Sequence, residues 1–178
     1  PVVEAETCIQ CGRCIKSCPV AASAESRRAG KRETKAYGAC FRDEEIRLAS
    51  TSGGVFTALC IWVLQRGGVV FGAAYDDLFQ VQHIFAESEE DLAQLRGAKY
   101  AQSDIGYSFR QVRRALEDGR YVLFSGTPCQ TAGLLTYLGK EYEKLILVDV
   151  ICHGVPSPAV WQEYLRYRSR TDAQGSGL

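Results

Sequence analysis

The sequence predicts an α/β fold, a largely parallel sheet flanked by helices, behind a small cysteine-rich segment. Three observations carry this. Four of the eight cysteines fall between Cys8 and Cys18. From Tyr37 onward, short apolar runs alternate with helical stretches, the order that lays helices over a parallel sheet. Glycine and proline punctuate the joins.

The elements follow in order. Residues 1–22 are cysteine-rich and weakly periodic. Residues 23–36 are polar and charged, which marks a linker or an exposed helix. The α/β domain is expected over 37–170. In it, Ser50-Thr51-Ser52-Gly53-Gly54 opens an apolar helix that reaches Gln65 and is ended by Gly67-Gly68. Val69 to Tyr75 reads as a buried strand, and Val81 to Ala86 as its hairpin partner or neighbour. Ser88-Glu89-Glu90-Asp91 has the form of a capping box ahead of a short helix. Tyr107 to Asp118 is an amphipathic helix stopped by Gly119, and Tyr121 to Phe124 a strand. Thr127 to Leu138 is a helix stopped by Gly139, and Leu145 to Ile151 an apolar strand. Ser157 caps a last helix with Pro158 in its first turn. Residues 171–178 read as a flexible tail. The chain has no methionine at all, and further sequence is expected beyond both ends.

Composition narrows the class. Lys+Arg and Asp+Glu both number 21, so no basic excess points to nucleic acid. The longest apolar run, Val55 to Leu64, is broken by Thr57 and falls short of the ~20 residues that span a bilayer. No secretory signal opens the chain. The expectation is a cytoplasmic protein with no nucleic-acid partner and no membrane insertion.

Cys8, Cys11, Cys14 and Cys18, followed by Pro19, have the spacing of a bacterial ferredoxin 4Fe–4S site. Short gaps let three thiolates converge on one cluster. Gly12 permits a tight backbone turn, and Pro19 turns the chain away. A zinc knuckle usually lacks the third evenly spaced cysteine. In two-cluster ferredoxins the fourth cysteine of such a run serves the other cluster. Cys18 is then a ligand of a second cluster, and Cys8, Cys11 and Cys14 need a fourth ligand from elsewhere. Cys40 is one candidate; an ordinary thiol is the other reading.

Four segments add a resemblance: Ser52-Gly53-Gly54-Val55-Phe56-Thr57-Ala58-Leu59, Gly97-Ala98-Lys99-Tyr100-Ala101-Gln102-Ser103, Ser125-Gly126-Thr127-Pro128-Cys129-Gln130, and Asp149 through Cys152-His153-Gly154 to Pro158. Together with the cysteine run they resemble the beta-subunit family of coenzyme F420 (deazaflavin) hydrogenases and dehydrogenases. The resemblance implies an FAD-containing electron-transfer subunit with iron–sulfur clusters. It would work with reduced F420, a related hydride carrier or ferredoxin as redox partner, and with other enzyme subunits. It assigns Ser52, Gly53, Gly54, Lys99, Gly126 and Thr127 to FAD, and it makes Cys129 and Cys152 candidate ligands of a further cluster. Read alone, Ser52-Gly53-Gly54 offers helix N–H groups to a phosphate or is a plain glycine cap. Lys99 is a phosphate partner or solvated surface. Gly126-Thr127 stands where ligands collect in α/β sheets or is an efficient turn.

Cys60 reads as core, His83 as a strand-surface residue, and Trp62 and Trp161 as packing anchors. His153 is a redox-tuning group or a loop residue. Three functions follow. The first is a flavin and iron–sulfur oxidoreductase subunit. The second is a non-enzymatic electron-transfer module. The third is a cysteine-nucleophile enzyme using Cys129 and His153.

Overall fold

The computed structural model describes residues 6–16 and 34–172. Cys18, Pro19, most of the expected linker and residues 173–178 of the expected tail lie outside the described residues. Within the cysteine run is α1 (Arg13–Lys16). Then come α2 (Glu44–Leu48), α3 (Val55–Leu64), β1 (Val69–Tyr75), β2 (Val81–Ala86), α4 (Leu92–Leu95) and α5 (Ser108–Glu117). The chain continues through β3 (Val122–Gly126), α6 (Pro128–Leu138), β4 (Leu145–Asp149) and α7 (Pro158–Asp172).

The strands form one sheet in the order β2-β1-β3-β4. β1 pairs antiparallel with β2, from Val70 opposite Ala86 to Tyr75 opposite Val81. It pairs parallel with β3, Val69 opposite Val122. β3 pairs parallel with β4, ending at Gly126 opposite Asp149. Successive strand side chains point to opposite faces, and the apolar runs are sorted accordingly. Val69, Phe71, Val122 and Phe124 pack with Val112 and Leu116 of α5 and Leu134 and Leu138 of α6. Val70, Ala74 and Leu123 pack with Cys60 and Val63 of α3 and Leu92 and Leu95 of α4. The domain is therefore three-layered. The expected alternation of buried strands and covering helices is what the structure shows.

Phe124 is fully buried, with the Phe109 ring edge-on to it at 5.8 Å between centroids. Removing such a ring loses transfer energy and leaves a cavity. Phe124→Ala is expected to lower unfolding free energy by about 3–5 kcal/mol. Urea unfolding followed by circular dichroism checks this.

Several boundaries and one element differ from the sequence reading; β3, for one, runs from Val122 to Gly126, not from Tyr121 to Phe124. β4 ends at Asp149, not Ile151, whose side chain is 90% exposed. α3 begins at Val55 because Gly54, at φ 76°, is left-handed and cannot be part of the helix. The helix α2 was not anticipated. Asp43 caps it, accepting from the Ile46 N–H at 3.1 Å, and Glu44 and Glu45 sit in its first turn, where carboxylates favour the helix dipole.

Gly67 and Gly68 reverse the chain tightly from α3 into β1. A Cβ on Gly68 would lie 2.6 Å from the Tyr121 carbonyl. This reversal lays α3 back along β1 and brings its first turn to the edge where β1, β3 and β4 end. α7 has no buried residue. It rests on the β1–β2 turn through Trp161, whose indole N–H donates to the Phe79 carbonyl at 2.6 Å and whose ring stacks on Tyr75. Among the described residues, no helix is long and apolar enough to cross a membrane.

Candidate functional site at the strand ends and the cysteine run

The thiols of Cys8, Cys11 and Cys14 are free and exposed. The backbone around them is bent twice into the left-handed region, at Gln10 (φ 54°) and Gly12 (φ 69°). The first bend turns the Gln10 N–H onto Cys8 Sγ at 3.4 Å. Backbone N–H groups aimed at sulfur stabilise thiolate charge and are among the features that tune cluster potential. Gly12 meets its φ requirement and nothing more, because a Cβ there would find open space within 4 Å. Among the described residues, no group of three or more His, Cys, Asp or Glu is gathered to hold a metal ion, and Cys18 lies outside them. Cys40 is exposed and packs beside the glycine turn of α3, its Cβ 3.6 Å from where a Gly53 Cβ would stand.

That glycine turn shapes the next feature. Phe41 N–H donates to the Gly53 carbonyl at 2.7 Å, and the Ala39 carbonyl lies 2.7 Å from a Cβ placed on Gly53. Residues 39–41 therefore fit against Gly53 only while it has no side chain. Beside the turn is a cavity of about 100 Å³ lined by Ser50, Ser52, Gly54, Thr57, Arg96 and Gly97, among others. The guanidinium of Arg96 donates from Nε to Thr57 Oγ1 at 3.3 Å. The opening of α3 presents free N–H groups and the positive end of its dipole at the same place. Sequence reasoning missed Arg96, Thr57 and Ser50. Arg96 closes α4, where a basic residue is commonly placed, and that was its only signal. Lys99 is placed nearby but is otherwise engaged. Its Nζ donates to the carbonyls of Gln94 at 2.9 Å and Arg96 at 2.8 Å, closing α4, and burial lowers its pKa.

Gly126, Thr127 and Cys129 belong to the turn from β3 into α6. α6 packs on the sheet face opposite α3, so the two glycine turns share one sheet edge but lie in different layers. A Cβ on Gly126 would fall 3.0 Å from Gln130 Oε1 and 3.1 Å from the Phe124 ring, so this glycine makes room for Gln130. The Gln130 Oε1 in turn accepts the Thr127 N–H at 2.9 Å. Cys129 is exposed in the first turn of α6, and its Sγ is 3.0 Å from Thr127 Oγ1. Cys152 follows the end of the neighbouring β4, also exposed. The Gly154 N–H, with Gly154 at φ 107°, donates to Cys152 Sγ at 3.4 Å. Among the described residues, Cys129 is hydrogen-bonded to Thr127 and not to His153, so the arrangement lacks the thiol–imidazole contact of a cysteine nucleophile. Cys60 is core, as expected, and burial pushes its thiol up to about 12.

His83 is not a strand-surface residue. It is buried, stacked on Phe124 at 5.1 Å between centroids. Its Nε2 lies 3.0 Å from the Ser125 carbonyl and its Nδ1 2.9 Å from Ser103 Oγ. Burial lowers its pKa from the ordinary 6.5, with the Ser125 bond working in the other direction. An imidazole whose folded pKa is depressed contributes stability above the unfolded value, and that stability is lost as pH falls through the folded value. The unfolding midpoint in urea is expected to drop as pH falls below about 6.5, and His83→Asn to flatten that part of the profile.

Residues 36–108 match the family model described as coenzyme F420 hydrogenase/dehydrogenase, beta subunit N-terminus. Residues 1–43 match the 4Fe–4S dicluster domain. The class is thus an iron–sulfur protein with an α/β domain behind its cluster segment. Over residues 36–108 the chain is thus similar to the coenzyme F420 hydrogenase/dehydrogenase beta-subunit family. Among solved structures, the fold is similar to a chain of the F420-reducing nickel–iron hydrogenase complex from Methanosarcina barkeri, with a TM-score of 0.57 and 22% identity. That likeness covers 77% of this chain and 49% of the other, so the present chain spans about half the length of the one it matches. No curated protein matches the chain.

Proposed function

We propose that the chain is part of an iron–sulfur flavoprotein oxidoreductase, an F420 hydrogenase/dehydrogenase beta-subunit-like component of a larger cytoplasmic protein or complex. It passes electrons between a hydride carrier, F420 or another, or ferredoxin, and FAD through 4Fe–4S clusters. Residues 1–22 carry the cluster segment, 23–36 the linker, 37–170 the flavin domain and 171–178 the tail.

The observation that carries this reading is a repeated piece of backbone. At Cys8 and at Cys152 the N–H two residues on donates to Sγ at 3.4 Å. Both thiols are exposed, and in both loops the donor residue has a left-handed φ. The same local device therefore serves the ferredoxin-type run and the strand-end cysteine. Cys129, on the adjacent strand end, stands exposed in the first turn of α6. We assign Cys8, Cys11, Cys14 and Cys18 to the ferredoxin-type clusters, and Cys129 and Cys152 to a further one.

The residues around Gly54 fit an FAD phosphate. Arg96 brings a fixed positive charge, Ser52 and Thr57 hydroxyls, and α3 free N–H groups. The cavity's roughly 100 Å³ suits a phosphate end and leaves the rest of an FAD to lie outside it, toward Lys99, Gly126 and Thr127. When bound, the flavin supplies hydride acceptance and the release of single electrons to the clusters. This chain's residues hold the phosphate charge and fix the cluster thiolates.

Iron content tests the strand-end assignment. In protein purified without oxygen, Cys129→Ala and Cys152→Ala are each expected to lower iron per chain. Unchanged iron in both variants would remove the strand-end cluster from the account.

A further inference from the structure

The buried polar chain that ends at Cys129 has a direction. The Ser125 carbonyl can only accept, so the proton on the His83 ring is fixed at Nε2, which donates to it across 3.0 Å. Nδ1 is then an acceptor and takes the Ser103 hydroxyl proton at 2.9 Å. Ser103 Oγ accepts in turn from Gln130 Nε2 at 2.8 Å. Gln130 Oε1 is left to accept the Thr127 N–H at 2.9 Å, and the Thr127 hydroxyl is in contact with Cys129 Sγ at 3.0 Å. Each link from His83 to Thr127 has one possible role. Four chain segments contribute: β2, the stretch before α5, the end of β3 and the first turn of α6.

The network is fully satisfied, with no buried side-chain polar atom left without a partner among the described residues. Satisfied buried networks specify one arrangement of the groups they hold. Gly126 is part of that arrangement, because a Cβ there would crowd Gln130 Oε1 at 3.0 Å. Sheet packing alone explains none of this: the sheet face at this point needs an apolar filler, and it has an imidazole wired outward to an exposed cysteine turn.

We propose that His83 is a positioning residue for the Cys129 turn, acting through Ser103 and Gln130. The benefit of that positioning rests on the reading of Cys129 as a cluster ligand. The relay itself does not.

Two substitutions separate the ring's two bonds. In His83→Asn the amide oxygen stands near the place of Nδ1, keeping the acceptor for Ser103 and losing the donor to Ser125. In His83→Gln the amide nitrogen reaches the place of Nε2, keeping the donor and losing the acceptor. Ser103→Ala cuts the relay from the other side and carries the test if the His83 variants fold poorly.

The readout is hydrogen exchange of single amides in the full 178-residue chain. His83→Gln and Ser103→Ala are expected to speed exchange of the Thr127 amide about tenfold, the effect of losing one hydrogen bond. His83→Asn should leave it near wild type, and the amides of Val122 to Phe124 should keep their protection throughout. The proposal is overturned if His83→Asn disturbs Thr127 as much as His83→Gln, which would make His83 a prop for Ser125 alone. It is also overturned if Ser103→Ala leaves Thr127 unchanged. Iron content of Cys129→Ala separately decides whether the turn so positioned holds a cluster.

Discussion

Replacing Cys11 by serine is expected to remove one cluster's iron and its broad visible absorption while leaving the α/β domain folded. Three features give this outcome. Cys11 stands in the middle of the run, with two residues between it and Cys8 and two between it and Cys14. Its thiol is exposed and contributes nothing to either core cluster. A hydroxyl is also a poor substitute for thiolate at an iron–sulfur site, where softness of the ligand sets affinity. The loss is of a whole cluster per chain, read by iron assay on oxygen-free protein, with the thermal midpoint of the domain unchanged. Cys60→Ala is the matching control. It is expected to leave iron intact and to destabilise by about 0.5–3 kcal/mol, the common range for a change in a packed core.

Gly53→Ala is expected to have the second-largest effect. The added methyl would lie 2.7 Å from the Ala39 carbonyl, a backbone atom that cannot rotate away. Residues 39–41 must then move, and the Phe41 N–H to Gly53 carbonyl bond moves with them. Overpacking of this kind costs about 1–3 kcal/mol. It also shifts the turn that opens α3, so retention of the proposed FAD is expected to fall along with the thermal midpoint. Gly38→Ala lies in the same loop with open space around it and no left-handed φ, and it should leave both unchanged. Scanning calorimetry and extracted flavin measured on both variants check the contrast.

Much of the fold was legible because its determinants are local. Val69 to Phe71 and Val122 to Phe124 are continuous apolar runs between turn residues, and they became central strands buried on both faces. Ser157 with Pro158 marked a helix start, and Gly139 a helix end, through neighbours a few residues away. The cysteine spacing likewise needs no tertiary knowledge. What escaped depends on distant partners. His83 looked like a surface residue because polar residues on a strand usually face water. Its two partners lie 42 and 20 residues away, and no pattern within Val81 to Ala86 announces them. Ser103 and Gln130 stood inside segments already singled out, yet their bond to each other exists only after folding. Lys99 shows the opposite case. Its partners are five and three residues back, so its role in closing α4 was within reach of local reasoning.

The most direct measurement of the central claim is cofactor content of the oxygen-free protein. Iron, acid-labile sulfide, zinc and flavin are quantified per chain from one preparation. The account predicts iron and sulfide in equal amounts and FAD released on denaturation. Zinc in place of iron, with no flavin bound, would contradict it.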